Sequence, residues 1–151
     1  MIRVLALLFA LLVAAPAPAQ NVFSTGVNAG TQRVLGSLRG ANFNVTTDQP
    51  IVISAPVYIV TAIWVTNCST SMTTAVGGVY PTTAKGGTPL VAATQVYVAL
   101  TAATVLQAST LNAAANLLTT RTTGSPIYLS LTTAQGSAAT CDIYIIGQDL
   151  T

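Results

Sequence analysis

The sequence predicts an all-β fold: a single-domain antiparallel β-sandwich, jelly-roll-like, with an extended N-terminal arm. Three observations carry that prediction. Apolar, β-branched runs recur along the chain and are short, each ended by Gly, Pro, Asn or Asp. Thr is the dominant polar residue, and its branched side chain prefers a pleated, half-buried surface. No strand-helix alternation runs through the chain, so a parallel sheet covered by helices is not indicated.

The first element is a targeting segment rather than part of the fold. Arg3 supplies a positive n-region, and residues 4–15 (VLALLFALLVAA) form an unbroken apolar run. Ala17-Pro18-Ala19 then reads as a cleavage site, giving a signal peptide over residues 1–19 and Gln20 as the new N-terminus. A helical span needs about 20 apolar residues, so no stable membrane span is expected. Export to the periplasm, cell surface or exterior follows. Residues 20–40 carry Gly26, Gly30, Gly36 and Gly40 without a sustained period, and read as an extended arm. The sandwich is then expected over residues 41–151.

Within that domain, residues 42–47 read as a short first strand ended by Asp48-Gln49-Pro50, and residues 51–54 as a second burst before Pro56. Residues 57–66 (VYIVTAIWVT) are the strongest strand. Their nearly continuous apolar character predicts a central strand covered on both faces. Residues 69–89 are turn-rich and contain an echo, TTAVGG from Thr73 and TTAKGG from Thr82, with a partial third copy from Thr132. Gly pairs after short Thr runs suit hairpin loops and bulges. Residues 90–100 are another strand candidate. Residues 101–118 permit a helix or strands with a loop, and the Thr content favours strand plus loop. Residues 127–133 alternate with period two, and residues 140–147 close the domain.

The two cysteines, Cys68 and Cys141, each lie beside a strand-like run. In an exported protein such a pair usually bridges, so a Cys68–Cys141 disulfide is expected.

Composition removes most enzyme chemistry. The chain has no His, and its only acidic residues are Asp48, Asp142 and Asp149. Nucleophile systems built on His lack their base. Zinc sites lose their usual nitrogen ligand, and isolated Asp residues do not make a calcium loop. Asp142 and Asp149 flank an apolar strand, too far apart for paired-carboxylate glycoside hydrolysis. The expectation is a non-enzyme with no cofactor and no metal. With Arg33, Arg39, Lys85 and Arg121 as its basic residues beyond the signal, it makes no groove for nucleic acid. Only 5% of residues are charged while 52% are hydrophobic, a balance that opposes disorder and leaves weak electrostatic protection against association.

Weaker motifs remain. Lys85-Gly86-Gly87-Thr88 has the Gly pair after the Lys, so it lacks the phosphate-loop order and reads as a solvated hairpin tip. Asn44-Val45-Thr46 and Asn67-Cys68-Ser69 match the short N-glycosylation pattern. Tyr58, Trp64, Tyr80, Tyr97, Tyr128 and Tyr144 fall mostly within strands, where packing accounts for them better than a sugar-binding platform does. Gly77, Gly78, Tyr80, Lys85, Gly86 and Gly87 form the candidate interaction loop.

Two blocks resemble a known group. STSMTTAVGGVYPTTAKGGTPLVAATQVYVALTAA from Ser69, and SPIYLSLTTAQGSAATCDIYIIG ending at Gly147, resemble small structural-module proteins of tailed phages and prophages of proteobacteria. The resemblance implies a virion-associated accessory protein, such as a head decoration or tail-surface protein. It assigns no functional residue. The expected partners are copies of the chain itself or a capsid, tail or envelope surface. The alternative is a secreted or cell-surface binding module for a carbohydrate or protein.

Overall fold

The computed structural model describes residues 31–115, 118–120 and 124–151; the signal segment and residues 20–30 lie outside the described residues. The strands are β1 (Gln32–Asn42), β2 (Gln49–Val52), β3 (Val57–Thr66), β4 (Val76–Tyr80), β5 (Gln107–Ala108), β6 (Leu118–Thr120), β7 (Pro126–Thr133) and β8 (Thr140–Asp149). They form two antiparallel sheets, and the fold is an all-β sandwich. The larger sheet has the order β1-β8-β3-β5, with β6 also pairing β3, and the smaller has the order β2-β7-β4. No helix among the described residues is long and apolar enough to cross a membrane.

One set of pairs is nested in sequence: β1 with β8, β2 with β7, β3 with β5 and β6, and β4 with the segment that follows it through Val79–Val91 and Val76–Val96 bridges. β8 also pairs with β3, and β7 with β4, which joins these pairs into the two sheets. Single contacts link the sheets and loops: Gly36 of β1 bridges Ile53 just after β2, Ser109 N–H donates to Ile63 C=O, and Leu111 bridges Val91.

Period-two alternation builds the core. Ile127, Leu129 and Leu131 of β7 face Ile143 and Ile145 of β8 and Ile63 and Val65 of β3, all buried. Each such side chain contributes about 1.5–3 kcal/mol on leaving water. Phe43 and Tyr97 meet edge to face with centroids 5.1 Å apart. One buried polar side chain pins the irregular entry to β4. Gln135 Oε1 accepts from the N–H groups of Thr73 (3.0 Å), Thr74 (3.2 Å) and Ala75 (3.3 Å), while its Nε2 donates to Ser71 C=O and Thr73 Oγ1.

Cys68 and Cys141 form a disulfide, as expected, and both are buried. It ties the chain just after β3 to the start of β8, beside the backbone bond from Ser69 N–H to Thr140 C=O.

Several sequence expectations are corrected. Residues 32–40, read as arm, belong to β1, the edge strand of the larger sheet. Its alternation is hidden because register shifts between Val34 and Gly36 and between Leu38 and Ala41 reset the phase. Most of residues 42–47 turn rather than extend, and β2 begins at Gln49, before Pro50. β3 is central but not covered on both faces. Tyr58, Val60, Ile63 and Val65 are buried while Thr61 and Trp64 are exposed, and a register shift between Val60 and Ala62 disguises the alternation. Residues 90–100 are not a continuous strand but an irregular segment with bridges at Val91 and Val96. The described part of 101–118 contains no helix and only the short β5 and the start of β6.

Candidate functional site

The six residues expected to form one interaction loop separate into two environments. Gly77, Gly78 and Tyr80 are buried in β4 rather than exposed in a loop. Both glycines are required by close approach: a Cβ at 77 would overlap Leu131 Cα, and one at 78 would overlap the Val91 carbonyl oxygen. Lys85, Gly86 and Gly87 do lie at a hairpin tip. That tip folds back on the turn after β1. The Ala84 N–H donates to Asp48 Oδ2 at 2.6 Å, and Lys85 Nζ donates to Thr46 C=O at 3.5 Å. Ser130 Oγ of β7 donates to the same carbonyl. Ala84 and Lys85 adopt left-handed φ values of 55° and 56° to make this clasp. The outer side of the smaller sheet around Tyr80 and Ser130 is therefore covered by the chain's own loops.

The outer face of the larger sheet is different. Val34, Ile146 and Ala62 lie in one register row across β1, β8 and β3. Ser37, Tyr144, Trp64 and Ala108 form the next row, which reaches β5. Register partners in adjacent strands share a face, so these side chains form one continuous patch. Val34 is 50% exposed and Trp64 38% exposed, Ala62 and Tyr144 are half-buried, and Ile146 in the centre of the first row is buried. Gln32 Nε2 donates to Thr61 Oγ1 at 2.9 Å, spanning β8 across this face. Neither row contains a formal charge.

The charged groups stand at the two ends. Arg33 pairs with Asp149 at one end. At the other, Asp142 accepts from Gly40 N–H at 2.8 Å and Asn67 Nδ2 at 3.0 Å. Burial raises the Asp142 carboxyl, but these two hydrogen bonds and the nearby Arg39 charge outweigh it and hold the group below its ordinary value. The Ala84 N–H, with Ser130 and Lys85, holds Asp48 low, and Thr151 with Arg33 holds Asp149 low. Tyr97 is pushed up by burial, its hydroxyl donating to Gly77 C=O.

These shifts, with the absence of His, predict an unusual pH profile. A carboxyl whose folded pKa is depressed adds stability above its unfolded pKa and loses it as pH falls through the folded value. Thermal melts should therefore give a flat midpoint from about pH 5 to about pH 9, with a decline only below about pH 4. A stability transition near pH 6–7 would contradict this.

The aromatics do not gather into one platform. Tyr58, Tyr80 and Tyr97 are buried, Trp64 and Tyr144 lie on the outer face of the larger sheet, and Tyr128 lies on the smaller one. The Asn44 sequon sits on an exposed turn, whereas Asn67 is engaged by Asp142. Sequence reading missed the bare face because Val34 falls in the presumed arm and Trp64 in a run that looks wholly buried. The alternation of polar Asp142 and Tyr144 with Cys141, Ile143 and Ile145 was its one available signal.

The sequence matches no protein-family model, and comparison with curated proteins and with solved structures gives no match.

Proposed function

We propose that this chain is a non-enzymatic structural protein, an exported β-domain that works by protein contact as a virion-associated decoration or accessory domain or within a surface assembly. The observation that carries this reading is the outer face of the larger sheet, where Val34 and Trp64 are exposed in two register rows that hold no formal charge. Contiguous exposed apolar surface rimmed by polar groups marks a contact site. The nested pairing order supports a jelly-roll, an architecture used by capsid and lectin domains. The disulfide suits an oxidising compartment and so supports export. Density-gradient fractionation of the native source, with the chain followed by mass spectrometry, tests the proposal. It should travel with particles or envelope, and confinement to the free soluble fraction would overturn the reading.

One observation favours the second reading, a secreted or cell-surface binding module. A shallow groove of about 340 Å³ lies between the hairpin tip and β7, where Thr82, Thr83 and Ser125 stand beside Tyr128. Hydroxyls next to an aromatic ring suit a sugar. Glycan-array binding that is lost in Tyr128→Ala would favour this module, and an array without hits would remove it.

A further inference from the structure

We propose that the outer face of the larger sheet is the contact between two copies of this chain, packed face to face about a two-fold axis. The inference rests on the structural reading above and names the partner of that same face.

Charge is the first argument. A two-fold contact sets a patch against itself, so any net charge on it would meet its like. The two rows from Val34 to Ala62 and from Ser37 to Ala108 carry none. At the ends Arg33 pairs with Asp149, and exposed Arg39 stands near Asp142, which Asn67 and Gly40 also engage, so each end carries charges of opposite sign. A face of this kind sets little net charge against a second copy.

Size is the second. Three adjacent strands about ten residues long, spaced about 4.8 Å apart, give the whole outer face a flat footprint of roughly 500 Å². That places the contact at the small end, below about 600 Å² per partner, which suits a weak, concentration-dependent dimer.

The third is the aromatic centre. At the centre of the open face, Trp64 and Tyr144 stand opposite one another, and aromatic anchors of this kind dominate interface energetics.

Sedimentation of the full chain as recovered after export, disulfide intact, should show a concentration-dependent dimer, with Trp64 emission shifting to the blue on association. Trp64→Glu and Ser37→Glu each place a carboxylate on the face and should weaken the dimer about 30-fold or more. Val52→Glu, on exposed β2 of the other sheet, should leave it unchanged. Ser37 is exposed, so its variant keeps the test valid if Trp64→Glu misfolds. A dimer indifferent to both face variants overturns the inference. So does a wild-type chain that stays monomeric at millimolar concentration. If that monomer still travels with particles or envelope, only self-pairing falls; if it is also confined to the free fraction, the structural reading falls with it.

Discussion

Replacing Cys68 and Cys141 together with Ala should lower the unfolding free energy by about 4 kcal/mol. The sequence separation of 73 residues sets this magnitude, since a bridge across a long loop removes much entropy from the unfolded chain. That loop contains β4, β5, β6 and β7, so the bond ties nearly all of the smaller sheet to the centre of the larger one. For a domain whose total stability is of order 5–15 kcal/mol, this is a large fraction. Both half-cystines are buried, so Ala is the better replacement: Ser would bury a hydroxyl and add an unrelated cost. Guanidinium titrations of the oxidised wild type and the double variant measure the difference. A change under about 1 kcal/mol would show that the bridge contributes little.

Gly147→Ala should be nearly as damaging, at about 3 kcal/mol or more. Gly147 lies in β8 between β1 and β3, paired with Arg33 on one side and Val60 on the other. A Cβ there would overlap the Ile59 carbonyl oxygen and crowd Leu35 Cδ1. The first obstacle is backbone of a central strand and cannot swing aside as a side-chain tip can. The comparison that isolates this cause is Gly40→Ala. Gly40 has a left-handed φ of 63°, but nothing lies within 4 Å of an added Cβ. Its replacement should cost about 1–2 kcal/mol, from conformation only. Equal effects at the two sites, read from the same denaturant titrations, would remove the packing explanation for Gly147.

The echo of Thr runs and Gly pairs shows how one sequence signal serves two purposes. After Thr82 and Thr83 the pair Gly86-Gly87 turns a hairpin tip, as its composition predicts. After Thr73 and Thr74 the pair Gly77-Gly78 lies within β4 beside a register shift, because neighbouring backbone leaves no room for a Cβ. The local difference is small, β-branched Val76 and Val79-Tyr80 in the first copy against Lys85 and Thr88-Pro89 in the second. The close packing of the first pair is set by Leu131 and Val91, which arrive from elsewhere in the chain.

Local chemistry was sufficient for the all-β class, for β7 and β8 as strands, for β3 as a central strand and for the single possible cysteine pair. Each follows from side-chain branching, alternation or count, all of which are read within a few residues. Assembly determined the rest. β1 was hidden by two shifts of register, and the outward position of Trp64 by another, because a bulge reverses the relation between sequence parity and sheet face. Which outer face stays open was also beyond local reading. Asp48 and Ala84 meet across 36 residues to clasp one face, while Val34 and Trp64 stay exposed on the other. Parity along a strand is a local property, but cover over a face depends on where distant loops come to rest.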